Sequence, residues 1–140
     1  MRLIVLDTNV VVSAGIRSGG PPGILIDDWV LSGKVQIVTS PRIVLEYRVV
    51  MWREKFRRHG FPPLWLDLMI SNSLQLSDPP DWPHFIPDPK DGPFLALAHT
   101  AGAWLVTGNL KHFPRAARRG VTVLSPGEYL SQLEDSSRRS

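Results

Sequence analysis

A three-layer α/β/α sandwich around a central parallel sheet, Rossmann-like in its winding, is the fold this sequence predicts, and two observations predict it. The chain opens on an apolar run that an acid interrupts, "LIVLDTNVVVSA" at residues 3 to 14, and a run so rich in Ile, Leu and Val suits a strand covered on both faces. Thereafter short apolar runs alternate with stretches of helical spacing. Strands separated by helices pair in parallel through right-handed crossovers, which places helices on both sides of the sheet.

Arg2 to Leu6 is read as the first strand, and residues 10 to 16 as the start of a helix. The Ser-Gly-Gly-Pro-Pro-Gly stretch at 18 to 23 interrupts it, and a second helical segment spans Ile24 to Leu31 and stops near Gly33. Val35 to Val38 is the next strand. In "TSPRIVLEYRVVMWREKF", Ser40 is placed to cap a helix, Pro41 suits its first turn, and Ile43, Leu45, Tyr47, Val50 and Met51 recur at near-helical spacing. Gly60 and Pro62-Pro63 close that unit, and Leu64 to Leu74 reads as a further amphipathic helix. The Pro- and Asp-rich segment from Ser77 to Pro89 is a loop, long for a small domain, and such loops are often functional. Asp91 and Pro93 mark another helix start; Phe94 to Ala101 continues it and Gly102 ends it. Trp104 to Thr107 and Val121 to Leu124 are strands, and Pro126 to about Leu133 is the last helix. One domain over residues 1–134 and a frayed polar tail over 135–140 follow from this division.

Composition sets outer bounds. The 140 residues carry a net charge of +3, with 43% hydrophobic and 21% charged residues, which is globular rather than disordered or membrane-spanning. Asp7 breaks the N-terminal apolar run too early for a signal peptide, so a cytoplasmic protein without membrane attachment is expected. The absence of cysteine excludes disulfides and thiolate metal sites. Positive charge is clustered: Arg48, Arg53, Lys55, Arg57 and Arg58 form one block, and Lys111, Arg115, Arg118 and Arg119 another. Such blocks are either a solvated face or a surface that follows phosphates.

In a sheet of this kind ligands gather beyond the carboxyl ends of the strands. Asp7 directly follows the first strand, and Thr107 and Asn109 end a later one, so both belong on one edge of the molecule. Alone, Asp7 reads as an Asx turn or as a metal-binding carboxylate held on a rigid element. Glu46 sits among Val44, Leu45 and Tyr47, where a charge is awkward unless it faces a polar cleft; pairing with Arg42 or Arg53 is its bland alternative. Asp88 and Asp91 in "DPKDGPF" are helix caps or further acids of the same cleft. Three converging carboxylates ionise together only if a cation neutralises them, and with oxygen donors alone that cation is hard, Mg²⁺ or Mn²⁺.

The stretches "VLDTNVVVSA", "SPRIVLEY", "DPKDGPFLALA" and "LVTGNLKHFP", in this order, resemble the PIN-domain nucleases, and in particular the PIN-type (VapC-like) toxin ribonucleases of toxin-antitoxin pairs, over about residues 2 to 125. The resemblance implies a divalent-metal-dependent endoribonuclease that hydrolyses RNA phosphodiester bonds with metal-activated water, a cognate antitoxin protein, and a homodimer. Carried over by motif, Asp7, Glu46 and Asp91 correspond to the family's catalytic metal ligands. Asp91 is preferred to Asp88 by its spacing through "FLALAHTAGAWLVT" to Thr107, and Asp88 is left as an assisting residue. Asn9 resembles the amide that steadies the first acid. Where many relatives carry a fourth acid after the "VT" strand, this sequence has Gly108 and Asn109, which favours one firmly bound ion. Thr107 is read either as bonding a carboxylate or a metal-bound water, or as a strand-end hydroxyl without a chemical role.

Arg53, Lys55, Arg57, Arg58, Lys111 and Arg115 are the candidate RNA contacts. His112 is read as a loop histidine without a chemical role, and His59, His84 and His99 as structural or surface residues. Trp52 and Trp65 are partner-contact candidates, and apolar residues between Trp52 and Ile70 form a possible dimer seam. Two rival readings differ in class: a PIN-like nucleic-acid-binding module with little or no turnover, and a phosphotransferase with Asp7 as covalent nucleophile. The second is weakened by Asn9 standing where its second acid belongs.

Overall fold

The computed structural model of the protein describes residues 2–17, 19–53 and 64–139. Its centre is β1, Leu3–Leu6, whose Ile4, Val5 and Leu6 are wholly buried. β1 lies between β2 (Gln36–Thr39) and β4 (Trp104–Val106), with β3 (Leu74–Gln75) outside β2 and β5 (Val123–Leu124) outside β4. Every pairing is parallel, with Ile4 opposite Ile37 on one side and Trp104 on the other. The order β3-β2-β1-β4-β5 means that the chain winds outward from β1 in one direction and later resumes on the other side. Right-handed crossovers then put the helices of the two halves on opposite faces of the sheet, giving the three-layer α/β/α sandwich.

The first half supplies α1 (Thr8–Ile16), α2 (Pro21–Ile24) running into a π-helical segment Leu25–Val30, α3 (Pro41–Met51) and α4 (Leu64–Ser71). The second supplies a 3₁₀ turn Pro89–Asp91, α5 (Gly92–Ala101), a 3₁₀ turn Leu110–His112, α6 (Arg115–Arg118) and α7 (Pro126–Arg139). The apolar helix α5, with Phe94, Leu95, Leu97 and Ala98 buried, packs on β1, β2 and β4; α1 packs on α2 and α3, and α2 on α7. Gly102 ends α5 in the left-handed region at φ 64°, where a side chain would be strained.

Several local expectations are corrected. The first helix begins at Thr8, directly after the strand, and α2 begins at Pro21 because the two prolines occupy its first turn, where a missing N–H costs no hydrogen bond. The helix expected over Leu64 to Leu74 stops at Ser71, and Leu74–Gln75 is instead an edge strand. Ser73 Oγ and Gln75 Nε2 both donate to the Ile70 carbonyl, taking the acceptor that a further helical turn would need. Two exposed residues show no apolar alternation, so nothing in their pattern marks a strand. Ser40 has extended backbone but its side chain does not cap α3; Asp78, from the long loop, accepts from Arg42 N at 2.9 Å instead. The last helix continues to Arg139 rather than fraying after Leu133. Its start is fixed by a reciprocal pair, Ser125 N to Glu128 Oε1 at 2.9 Å and Glu128 N to Ser125 Oγ at 3.1 Å, and a solvent-facing helix needs no apolar residues beyond its anchor.

Sheet and α3 are joined by one buried bond: Tyr47, fully enclosed, donates its hydroxyl to the Leu6 carbonyl at 2.6 Å. Tyr47→Phe leaves that carbonyl one donor short and is expected to lower stability by about 1–2 kcal/mol. Urea unfolding monitored by circular dichroism checks this; an unchanged midpoint would mean that the bond contributes nothing.

Candidate active site

The direction of winding reverses between β1 and β4, so the crevice of the fold opens at the carboxyl ends of these two strands. Asp7 stands at the end of β1, its N–H bonded to Val106 O of β4 at 2.9 Å. Its carboxylate makes no N-cap hydrogen bond to α1, although the Thr8 backbone N–H helps to lower its pKa. Instead Oδ2 accepts from Thr107 Oγ1 at 2.8 Å and from Asn9 Nδ2 at 3.3 Å. Asn9 Oδ1 in turn accepts from Gly108 N at 2.9 Å, so one amide ties the start of α1 to the loop after β4. A Cβ at Gly108 would stand 3.2 Å from that same oxygen, so the close approach favours glycine.

Glu46, half-buried on α3, accepts a hydrogen bond from Thr8 Oγ1. The bland alternatives for it are not realised through Arg42, whose guanidinium pairs with Asp81 at 3.0 Å, while Arg53 shares a cavity wall with Glu46. The two acids of "DPKDGPF" separate in role. Asp88 caps the 3₁₀ turn by accepting from Lys90 N at 3.0 Å. Asp91 is buried and caps nothing; His112 Nδ1 lies 3.1 Å from its Oδ2, an ion-pair contact, yet that oxygen has no aligned hydrogen-bond donor. His112 Nε2 meets the Asn109 amide at 2.8 Å, and Asn109 N donates to Thr107 Oγ1. Asn109 therefore joins His112 to Thr107.

These acids sense one another. Burial pushes the Asp7 carboxyl up from 3.8 to about 6; the Thr107 bond draws it partly back, and the negative charges of Asp91 and Glu46 push it further up. Asp91 is also raised, first by burial, against the pull of His112 and with added repulsion from Asp88 and Glu46. Beneath them Tyr47 stays neutral, its hydroxyl held up by burial and by the charges of Asp7 and Glu46. Among the described residues no three His, Asp or Glu side chains stand close enough together to hold a metal ion. The donor set nonetheless fits a hard cation: carboxylate oxygens, no soft ligand, and a buried Asp91 oxygen that, among the described residues, has only His112 beside it and no aligned hydrogen-bond donor.

Of the basic residues, Arg53 is exposed on the cavity wall beside Glu46, and Lys111 and Arg115 are exposed near the loop after β4. Lys55, Arg57 and Arg58 lie outside the described residues, as does His59. Arg48 pairs with Asp67 of α4 at 2.7 Å, and Arg118 Nε donates to the Phe113 carbonyl, so these two hold structure. Sequence reasoning missed Thr8 and His112 as neighbours of the acids. Thr8 sits inside the "LDTN" stretch that drew attention to Asp7, whereas the role of His112 depends on a loop conformation that spacing does not encode.

A parallel α/β/α domain with buried carboxylates of raised pKa at its switch point is the class of protein that the fold and site define. The chain belongs to the PIN domain family, whose model matches residues 3–111. No curated protein matches it. Among solved structures it is similar in fold to VapBC2 from Rickettsia felis bound to a DNA fragment from their promoter, at TM-score 0.61 and 17% identity over 88% of this chain and 98% of that one. FitAcB from Neisseria gonorrhoeae aligns at TM-score 0.56 and 21% identity, over 89% and 98% of the chains. FitAB bound to an IR36 DNA fragment aligns at 0.53 and 22%, over 88% and 94%. No helix among the described residues is long and apolar enough to cross a membrane.

An acid whose folded pKa is raised binds its proton more tightly folded than unfolded, so stability is lost as pH rises between the two values. For Asp7 that window runs from about 4 to about 6, and the loss is on the order of 3 kcal/mol at neutral pH. With chelator present, Asp7→Asn is therefore expected to be more stable than the parent at pH 7.5 and no more stable at pH 4. Denaturant melts at the two pH values check this, and a variant equally or less stable at pH 7.5 would contradict it.

Proposed function

We propose that this protein is a divalent-metal-dependent endoribonuclease that cuts single-stranded or loop RNA, and that it is the toxin of a toxin-antitoxin pair. The observation that carries the reading is the meeting of Asp7, Glu46 and Asp91 at the switch point, with an Asp91 oxygen left buried without an aligned donor. Asp7, Glu46 and Asp91 would hold Mg²⁺ or Mn²⁺, which when bound neutralises the three acids, polarises the phosphodiester and activates water. Around them Thr107 and Asn9 fix the orientation of Asp7, Thr8 that of Glu46, and His112 lies against Asp91. Asp88 supports the turn that presents Asp91. Arg53, Lys111 and Arg115, joined by Lys55, Arg57 and Arg58, hold the flanking phosphates. Because Asn109 brings no charge, one ion is held firmly and a second awaits substrate phosphate.

The toxin assignment rests on the PIN family match and on the likeness in fold to VapBC2, FitAB and FitAcB. We extend it to a cognate antitoxin protein, a cytoplasmic setting and a homodimer. Leu45, Val49, Trp52, Leu64 and Leu68 leave an exposed apolar strip along α3 and α4 that suits such contacts. A module that binds nucleic acid with little or no turnover is the second reading, favoured by the engagement of Asn109 with His112 and by the absence of a finished cage among the described residues.

Asp7→Asn, Glu46→Gln and Asp91→Asn are each expected to lower RNA cleavage about a hundredfold or more while the circular dichroism spectrum is retained. Chelator should abolish cleavage by the parent protein and Mg²⁺ or Mn²⁺ restore it, read on a labelled single-stranded RNA. Undiminished cleavage by the variants would overturn the ligand assignment, and binding without cutting under every ion would select the second reading.

A further inference from the structure

We propose that the loop from Ser77 to Pro89, closed against α3 and α5, is a pocket for one unpaired nucleobase of the RNA strand, selecting where the strand is cut. This rests on the ribonuclease reading and adds to it a specificity subsite. The pocket is a cavity of about 410 Å³ with Trp82, His84 and Phe85 of the loop, Arg42 of α3, and Gly92 and Pro93 of α5 in its wall. Its volume is that of a small-molecule site, roughly 300–1,000 Å³. A second cavity of about 370 Å³, lined by Glu46, Arg53 and Lys90, shares Arg42 and Pro93 with the first. Glu46 thus borders one side of this shared wall and the aromatic rings the other. A strand laid across both cavities sets a phosphate beside Glu46 and a base at the rings.

The loop is held in shape although it contains no helix or strand before the turn at Pro89. Asp78 accepts from Arg42 N at 2.9 Å, and Asp81 pairs with the Arg42 guanidinium at 3.0 Å. Trp82 packs so closely on α5 that a Cβ at Gly92 would stand 3.3 Å from the Trp82 Cβ. Its ring meets His84 and His99 edge-on, with centroids 5.2 and 5.7 Å apart. A fixed scaffold that leaves the Phe85 ring 76% exposed presents a stacking surface at little ordering cost. The Trp82 Nε1–H is buried without an acceptor among the described residues.

Charge decides which part of a nucleotide fits. The wall sets two carboxylates, Asp78 and Asp81, against the single cation Arg42, which repels phosphate but not an uncharged base. Each carboxylate uses only Oδ1 in the bonds to Arg42, so Oδ2 of each can accept from an exocyclic amino group, which uracil lacks. Rings for stacking and acceptors at the rim favour adenine, cytosine or guanine over uracil.

The test uses full-length Asp7→Asn, which does not cut under the ribonuclease reading, with and without Phe85→Ala, an exposed position whose loss leaves the core intact. Fluorescence anisotropy follows labelled single-stranded oligoadenylate, oligouridylate and an abasic RNA of equal length. Oligoadenylate should bind most tightly, and Phe85→Ala should weaken it by about tenfold while abasic RNA is unaffected. In the Asp7-containing protein, Phe85→Ala should blur the cleavage pattern along a mixed RNA and raise KM more than it lowers kcat. RNA binding that is unchanged by Phe85→Ala, or weakened equally for abasic RNA, overturns the pocket and leaves the ribonuclease reading standing. Phe85→Ala that spares RNA binding but disrupts self-association in sedimentation assigns the rings to a protein contact and also overturns it. Failure of any RNA to bind or be cut removes the ribonuclease reading, and the pocket with it.

Discussion

Buried like charges are the constraint on which the rest of this structure depends. Asp7 is 5% exposed and Asp91 9%; Asp7 feels the charges of Asp91 and Glu46, and Asp91 those of Asp88 and Glu46. A domain of this size has little stability to spare, so an arrangement that holds acids against their own repulsion and desolvation persists only where the surrounding structure fixes it. That surrounding structure is specific: Thr107 and Asn9 on Asp7, Thr8 on Glu46, and His112 beside Asp91. Each partner comes from the segment just after a strand or from the first turn of the next helix, where the fold opens.

Topology explains why the acids meet despite their separation in sequence. β1 is central, paired on both sides, and its carboxyl end is the place where the winding reverses. Asp7 is fixed there by the strand itself, and the β4 end brings Thr107 and Gly108 alongside. Tyr47 bonds β1 to α3, one residue beyond Glu46, so the helix that carries the second acid is tied to the strand that carries the first. Asp91 arrives on the turn that starts α5, which packs directly on β1, β2 and β4. Stability and site thus use the same connections.

Much of the fold was legible because its signals are local. Buried parallel strands leave unbroken apolar runs, and Pro41, Pro93 and Gly102 punctuate helices by mechanisms confined to a single turn. The edge strand Leu74–Gln75 was not legible, since two exposed residues have no periodicity and their pairing with Val38 and Thr39 is a tertiary fact. The cap of α3 was misread for the same reason: Ser40 has the right residue type, but Asp78 arrives from a distant loop and takes the bond. At the site, the acids stood out because charges in apolar surroundings demand explanation. What Thr8, His112 and Asn109 touch depends on how two elements approach each other: Thr8 meets Glu46, and Asn109 meets His112, which lies beside Asp91.

The central claim is that Asp7, Glu46 and Asp91 are gathered to share one cation. Calorimetric titration of Mn²⁺ into the protein at pH 7.5, in parallel with the Glu46→Gln and Asp91→Asn variants, reads this without reference to any RNA. The account predicts one saturable site per chain, weakening as pH falls through about 6 where the Asp7 carboxyl takes up its proton, and affinity at least about tenfold weaker in both variants. Equal affinity in all three proteins, or no saturable binding by the parent, would contradict it.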